Sequence, residues 1–148
     1  MKQEDRELLL KDLCARLPYR VKVGTADNDG SLENVWDMLW YNTFTEDLKL
    51  THSIEDADKI VDISETKPYL FPLSSMTEEQ KFECLKGTTL EIDKYGDIAV
   101  IDDCYGGSKY TDLEMYLDVI DWLNENHFDY RGLIEKGLAI DCTNLNIY

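Results

Sequence analysis

The chain has 148 residues, of which 31 are acidic and 15 are Lys or Arg, so its formal net charge is −16 at pH 7. This balance argues against direct nucleic-acid binding, because phosphate contacts need clustered basic side chains. A hydrophobic share of 43% is enough to bury a core at this length and argues against disorder.

The first third of the chain predicts a helix followed by a hairpin. Apolar residues at helical spacing predict a helix over residues 3–17, which Pro18 ends. Alternation predicts a strand over residues 19–25, and the Asp-Asn-Asp-Gly sequence of residues 27–30 predicts a turn. The returning strand, residues 31–41, is apolar on both faces, so we expect it to be buried on both sides or partly helical.

The middle of the chain carries weaker patterns. Residues 43–58 are polar and predict a loop with one helical turn at most, and residues 59–63 predict a short strand. Residues 67–73 contain two prolines, which predicts an extended edge or connection rather than a central strand.

A second helix and a second hairpin follow. Thr77 and Gln80 form a capping box that predicts the start of a helix over residues 77–86. Residues 88–93 and 97–102 alternate and flank a short turn sequence, which predicts an antiparallel hairpin.

The strongest helix signal begins at Thr111, where Thr111 and Glu114 form another capping box. Gly132 and Gly137 bracket a short second helical segment, residues 133–136. The residues predicted to share the buried face of the long helix are Leu113, Tyr116, Leu117, Ile120, Trp122 and Leu123. Together these elements predict a single α+β domain over residues 1–148 with antiparallel hairpins packed against about three helices.

Cysteine usage and the N-terminus bear on the compartment. The cysteines Cys14, Cys84, Cys104 and Cys142 lie far apart with no Cys-x-x-Cys pair, which argues against zinc and for a reducing compartment. The N-terminal sequence lacks the apolar core of a secretory signal, and no apolar run approaches the length of a membrane span. We therefore expect a cytoplasmic protein.

Two stretches carry a family resemblance. KPYLFPLSSMTEEQ at residues 67–80 and WLNENHFDYRGLIEKGLA at residues 122–139 resemble recurrent segments of small bacterial proteins from phage-like and mobile elements. The opening ELLLKDLCARLPY is also similar. The resemblance implies a compact accessory protein of a bacterium or its phages, and it carries no activity, cofactor or catalytic residue.

The first candidate site is an acidic stripe on the long helix, formed by Glu114, Asp118, Asp121 and Glu125. Such a stripe is usual on a solvated helix face. Successive members lie roughly 5–6 Å apart along the axis, a spacing comparable with that of phosphates in a nucleic-acid strand. The functional alternative is therefore a mimic of DNA that occupies the basic groove of a partner protein.

The second candidate is the cluster that follows this helix. His127, Asp129, Tyr130 and Arg131 could perform acid–base chemistry or hold an anion. The competing interpretation is a helix-end turn, in which Asp129 caps the next segment while Phe128 and Tyr130 pack into the core.

A third candidate is the aromatic segment at residues 68–72. Tyr69 and Phe71 could offer a partner surface or an edge for an added strand. Burial of both rings in the core is the competing interpretation.

The remaining polar clusters favour ordinary structure. Asp93, Asp97, Asp102 and Asp103 flank the second hairpin, where solvated strand ends are favoured over a cation site because alternation separates Asp102 from Asp103. Residues 27–30 are no calcium loop, since Trp36 occupies the position of the bidentate Glu.

Familiar catalytic patterns are missing from the sequence. His52 with Glu55 has no third partner, and Cys104 has no His or Asn at the spacing of a thiol nucleophile. There is no phosphate-binding loop, nucleophile elbow or zinc-protease motif.

These patterns predict a non-catalytic accessory or regulatory domain that acts through contacts with a protein partner, which is basic if the acidic stripe is the working surface. We predict no cofactor, no metal and no membrane contact. The alternative from another class is a small enzyme with an acid–base site near His127, Asp129, Tyr130 and Arg131. Partner identity and oligomeric state stay open.

Overall fold

The computed structural model describes residues 1–25, 35–42, 47–51, 59–84, 89–92, 98–101 and 113–148, with residues 89–92, 98–101 and 113–115 described by their backbone. In this part of the chain, helices and a mixed sheet form an α+β fold, which confirms the predicted class. No helix among the described residues is long and apolar enough to cross a membrane.

The helices are α1 (Gln3–Arg16), α2 (Glu78–Cys84) and α3 (Leu113–Glu125). The strands are β1 (Lys22–Thr25), β2 (Val35–Asn42), β3 (Asp47–Thr51), β4 (Lys59–Asp62), β5 (Thr66–Pro72), β6 (Thr89–Ile92), β7 (Ile98–Ile101), β8 (Phe128–Asp129) and β9 (Ile140–Asp141).

The main sheet has the order β4-β3-β2-β1-β5-β8, and β9 also pairs with β5. The first four pairings along this path are antiparallel, whereas β5 pairs with β8 and β9 in parallel. The predicted hairpin β6–β7 is confirmed as a separate antiparallel pair. The two parallel contacts bring the region after α3 beside β5, at the end of the sheet opposite β4, and this arrangement positions the candidate site.

The predicted hairpin of β1 and β2 is confirmed, and a bulge explains the mixed pattern of β2. The register between β2 and β3 shifts between Met38 and Trp40, and one extra residue exchanges the two faces of a strand. Met38 is buried, whereas Leu39 and Trp40 are exposed. Strand β2 is therefore neither helical nor buried on both sides.

The prediction of a loop over residues 43–58 is wrong for β3. This strand pairs with β2 and β4, and its Leu48 and Leu50 side chains are fully buried. The alternation of these two leucines with polar residues is the strand signal, which is too short to stand out in a polar stretch.

The prediction that residues 67–73 form an edge is also wrong, because β5 is an interior strand. It pairs with β1 through residues 66–68 and with β8 and β9 through residues 69–72. Pro68 lies opposite Val23 and Pro72 lies opposite Asp129. A proline lacks the amide donor but keeps its carbonyl acceptor. Pro68 ends the pairing with β1 just before the pairing with β9 begins, and Pro72 is the last residue of the strand.

The main core lies between α1 and one face of the sheet. Helix α1 contributes Leu9 and Leu13, which are fully buried against β-strand residues such as Val23, Leu48 and Leu70. At the edge strand β4, Asp62 accepts hydrogen bonds at 3.0 and 3.2 Å from the guanidinium of Arg6 in α1. The predicted first helix is thus confirmed; Leu9 and Leu13 of its predicted apolar side are buried, whereas Cys14 on that side is exposed.

A second core cluster joins α2, α3 and β8. Its buried members are Met76, Cys84, Val119, Leu123 and Phe128. The capping box at the start of α2 is confirmed, since the Thr77 amide donates to Gln80 Oε1 at 2.9 Å and the Gln80 amide donates to Thr77 Oγ1 at 3.2 Å.

The predicted buried face of α3 is partly wrong. Val119 and Leu123 are buried, whereas Tyr116 is 43% exposed and Leu117 is 56% exposed. The helix therefore turns a different side toward the core than its apolar pattern indicates, because the neighbouring elements decide which residues are covered.

The segment after Gly132 forms one helical turn that ends at a glycine rather than a second helix. The Leu138 amide donates to the Leu133 carbonyl at 2.9 Å, and the Gly137 amide donates to the Ile134 carbonyl at 3.0 Å. Gly137 has φ +70°. This pair of bonds around a left-handed residue is a Schellman motif, in which glycine avoids the steric cost of the conformation.

Candidate functional site

An ion pair between Asp12 and Arg16 lies inside the protein where α1 meets α3. Both side chains are fully buried, and Arg16 Nε donates to Asp12 Oδ2 at 2.8 Å. Arg16 also donates to the carbonyl of Leu123 at 3.2 Å and to that of Phe128 at 2.7 Å. These carbonyls lie at and just beyond the C-terminal end of α3, where a cation is favoured by the helix dipole. Arg16 therefore joins α1 to α3 and β8.

Arg131 and Tyr130 extend this pair into a buried polar network. Arg131 Nε donates to Asp12 Oδ1 at 3.2 Å, and its Nη2 donates to the Tyr130 hydroxyl at 2.7 Å. The same hydroxyl donates to Asn124 Oδ1 at 3.0 Å. We call the five residues Asp12, Arg16, Asn124, Tyr130 and Arg131 the buried polar network. Its bonds satisfy groups that would otherwise be costly to bury.

Asp129 caps the turn that follows it. Its two carboxylate oxygens accept hydrogen bonds from the amides of Leu133 at 2.9 Å and Ile134 at 2.8 Å. This is the helix-end arrangement that the sequence offered as the competing interpretation of the cluster. Asp129 therefore uses both of its oxygens to hold the backbone.

The contact shown for the His127 ring is with Tyr148 rather than with the other three members of its predicted cluster. Its backbone has φ 59° directly after α3, a conformation that non-glycine residues rarely adopt. The residue is 7% exposed, its buried Nδ1 has no hydrogen-bond partner among the described residues, and its ring stacks on Tyr148 with centroids 3.9 Å apart. The structure thus brings Tyr130 and Arg131 together but ties Asp129 and His127 to other partners.

The imidazole of His127 is held in its neutral form. Burial lowers the pKa of His127 to about 4, and the positive charges of Arg16 and Lys22 act in the same direction. The ring therefore carries no charge at neutral pH.

A cavity of about 460 Å³ lies beside His127 at the end of α3. Its aromatic wall consists of Phe71, Phe128 and Tyr148, with ring centroids 5.8 Å apart for Phe71 and Phe128 and 6.0 Å apart for Phe71 and Tyr148. The polar lining residues are Ser75, Gln80, Glu125, Asn126, His127 and Thr143. This is the best-formed recess that we find among the described residues, and its size suits a small ligand or one long side chain.

The structure divides the other predicted site residues between surface and core. Asp118, Asp121 and Glu125 are exposed on α3, while the side chain of Glu114 lies outside the described part. Tyr69 is 2% exposed and Phe71 is half-buried. Residues 68–72 belong to β5, in which each residue already pairs with β1, β8 or β9, and this pairing counts against the addition of a partner strand there.

Several other candidates lie outside the described residues, so the structure does not bear on them. They are the turn at residues 27–30, His52, Glu55, Asp93, Asp97, Asp102, Asp103 and Cys104. Within the described ranges, no group of three or more His, Cys, Asp or Glu side chains is arranged to hold a metal ion. Burial raises the pKa of Cys84 and Cys142 to about 11, so both thiols are protonated at neutral pH.

Two features of the site are missing from the sequence predictions. The buried pair Asp12 and Arg16 has the i, i+4 spacing of an ordinary surface ion pair, and only its position among the buried leucines of α1 could have indicated burial. Tyr148, whose hydroxyl donates to the Tyr69 carbonyl at 2.9 Å, has no local signal at all.

Comparison with known proteins found no match: no protein-family model matches the chain, and no curated protein or solved structure matches it significantly.

The depressed pKa of His127 leads to a prediction on acid stability. Between pH 6.5 and about 4, His127 is protonated in the unfolded chain but stays neutral in the folded protein. The free energy of unfolding therefore falls as the pH falls. By pH 5 this contribution is about 2 kcal/mol. The variant His127→Asn lacks this group, and an Asn side chain tolerates positive φ. Between pH 7 and pH 5, we expect its free energy of unfolding to fall by about 2 kcal/mol less than that of the wild type.

Urea denaturation of both proteins at the two pH values measures this difference. The control is His52→Asn, which removes the other histidine of the chain and keeps His127. Equal losses in the wild type and in His127→Asn would show that His127 titrates alike in the folded and unfolded states.

Proposed function

We propose that this chain is a non-catalytic accessory or regulatory domain that binds a basic protein partner through the outward side of α3. The observation that carries the proposal is the exposed Leu117 among carboxylates. Leu117 is 56% exposed, and Asp121 and Glu125 follow it at i+4 and i+8, on one line of the helix surface.

Leu favours a helix through its propensity, but a helix face that only meets water gains no burial energy from a large apolar side chain. Tyr116 on the same helix is 43% exposed, so Leu117 is not an isolated case. Uncovered aromatic and aliphatic residues rimmed by polar groups are typical of surfaces that bind other proteins.

Helix α2, which contacts α3, repeats this combination. Its Phe82 is 67% exposed, and the residues around it in a shallow recess are Glu78, Glu79 and Glu83. Two neighbouring helices therefore both present apolar side chains among carboxylates, which widens the surface that a partner could cover.

The charge of the surface supports a basic partner. The whole chain carries −16, and the described part of the acidic stripe is exposed. Opposite charge on the partner would speed encounter and favour the correct orientation, while contacts with Leu117 and Tyr116 would supply apolar burial.

The resemblance of residues 67–80 and 122–139 to proteins of phage-like and mobile elements supports an accessory role in a bacterium. A cytoplasmic location belongs to the same proposal and rests on the cysteine usage, since Cys14, Cys84 and Cys142 are free.

The acid–base alternative has less support. Asp129 uses both oxygens for backbone amides, and Tyr130 and Arg131 are bound into the buried polar network. A catalytic role would need these groups to face one substrate, together with His127.

The test is capture of proteins from bacterial lysate on immobilised wild type and on the variant Asp118→Asn/Asp121→Asn. We expect a partner whose binding is about fivefold weaker with the variant, which corresponds to about 1 kcal/mol for two exposed charges. The same partner should be released as salt rises from about 0.05 M to about 0.5 M, because exposed charge pairs are screened.

The matched control is Glu4→Gln/Glu7→Gln, which removes the same charge from the exposed side of α1. A third variant, Leu117→Ser, should weaken the same partner at both salt concentrations. If Asp118→Asn/Asp121→Asn and Leu117→Ser capture every protein as well as the wild type and the α1 control do, α3 is not the binding surface.

A further inference from the structure

The cavity at the end of α3 begins where the acidic stripe ends. Glu125, the last member of the stripe, is also a lining residue of the cavity. A partner that follows the stripe along α3 would therefore reach the cavity without leaving the helix.

The hydrogen bonds already made around the cavity indicate which groups remain for a ligand. Asn126 Nδ2 donates to the Trp122 carbonyl, which leaves Asn126 Oδ1 to accept and the second Nδ2 hydrogen to donate. The hydroxyls of Ser75 and Thr143 donate to Pro72 and Asp141, so their remaining capacity is also that of acceptors. Acceptors therefore predominate.

The donors at the cavity are fewer. Gln80 Oε1 accepts from the Thr77 amide, which leaves the Gln80 amide group to donate. His127 adds a neutral imidazole, whose pKa is lowered to about 4 chiefly by burial. With the carboxylate of Glu125 and no charged donor among the described lining residues, the cavity suits a ligand that is rich in donors and positively charged.

The charges around the helix end also act on a bound cation. The C-terminal end of α3 carries partial negative charge from its last carbonyls, although Arg16 already bonds that of Leu123 and Asn126 that of Trp122. The nearby cations Arg16 and Lys22 are each paired with a carboxylate, Asp12 at 2.8 Å and Asp37 at 2.7 Å. Their repulsion of a bound cation is thereby reduced.

The aromatic wall distinguishes a planar cation from a compact one. Of the rings that line the cavity, those of Phe71 and Tyr148 are partly exposed, whereas Phe128 is 2% exposed and stacks on Trp122. A guanidinium can stack on an exposed aromatic face while its five N–H groups bond in their plane. An ammonium group has three donors and no plane.

We propose that this cavity receives the guanidinium group of an arginine side chain of the basic partner, with Glu125 as its charge partner and Asn126 Oδ1 as a further acceptor. The inference rests on the proposed function, since it assigns to that partner the residue that inserts at the end of the acidic stripe.

The test is an NMR titration of the isotope-labelled protein with N-acetyl-arginine amide, compared with N-acetyl-lysine amide and N-acetyl-norleucine amide. We expect the amide signals of Asn126, His127 and Thr143 to shift most with the arginine compound and not with the norleucine compound. Glu125→Gln should raise the Kd of the arginine compound by about fivefold or more, as expected for loss of a hydrogen bond to a charged group.

The matched control is Asp121→Asn, which removes the same charge from the exposed side of the same helix but does not line the cavity. It should change the Kd by less than about twofold, because exposed charges contribute little. Equal effects of Glu125→Gln and Asp121→Asn would reduce the binding to general attraction and overturn the inference, as would the absence of shifts around the cavity.

A competition experiment separates this inference from the proposed function. Excess N-acetyl-arginine amide should release the partner captured from lysate. If the arginine compound binds the cavity but does not release that partner, the cavity binds a free organic cation and the partner-arginine inference is overturned. The proposed function would still stand if capture of the partner is weakened by Asp118→Asn/Asp121→Asn. Cavity binding together with capture that ignores both α3 variants would overturn the proposed function itself.

Discussion

Asp12→Ala should lower the free energy of unfolding by about 3–5 kcal/mol, because it removes one partner of a buried ion pair and leaves the other charge uncompensated. Asp12 is fully buried and accepts hydrogen bonds from both Arg16 and Arg131. Without it, the fully buried guanidinium of Arg16 keeps only its carbonyl acceptors. Urea denaturation at pH 7 measures the loss.

The double variant Asp12→Leu/Arg16→Met is the control for charge burial. It removes both buried charges at once, and we expect it to be clearly more stable than Asp12→Ala, since well-packed apolar pairs replace buried ion pairs at little cost. Arg131 is 17% exposed and can turn toward water. If Asp12→Ala cost less than about 1 kcal/mol, the pair would not be buried as the structure has it.

Phe128→Ala should cost about 3–5 kcal/mol, the range for removing a buried aromatic side chain. Phe128 is 2% exposed, belongs to the second core cluster and stacks on Trp122 with ring centroids 5.7 Å apart. Its removal would leave a void at the point where α3, β5 and β8 meet.

The matched control is the same substitution at Phe82, which is 67% exposed. Phe82→Ala should change the free energy of unfolding by less than about 0.5 kcal/mol, and thermal and urea denaturation of both variants give the comparison. Similar costs at the two positions would contradict the burial of Phe128 and with it the aromatic wall of the cavity.

Sequence patterns predict the elements whose signals are local. The capping box of Thr77 and Gln80 places the start of α2, and the alternating arms of β6 and β7 predict their pairing. Gly137 was correctly identified as an end point, because a left-handed residue after a helical turn strongly favours glycine. Each of these signals spans a few residues and needs no knowledge of the rest of the chain.

The errors concern residues whose surroundings come from elsewhere in the chain. Leu117 and Tyr116 fit an apolar face of α3, yet nothing among the described elements covers them. Prolines 68 and 72 suggest an edge, yet β5 is interior because its three partner strands, β1, β8 and β9, meet it at different residues. Strand β3 gains its stability from pairing on both sides rather than from its own short pattern.

The candidate site divides along the same line. The acidic stripe and the capping role of Asp129 follow from helical spacing and turn chemistry, so the sequence by itself determined them together with the α+β class and the charge of −16. Only the tertiary structure decided that Asp12 and Arg16 are buried, that Arg131 joins them, and that His127 lies against Tyr148 at the end of α3. The physical reason is distance along the chain: Arg16 and Phe128 are 112 residues apart, and burial, pKa and cavity shape depend on which remote groups the fold brings together.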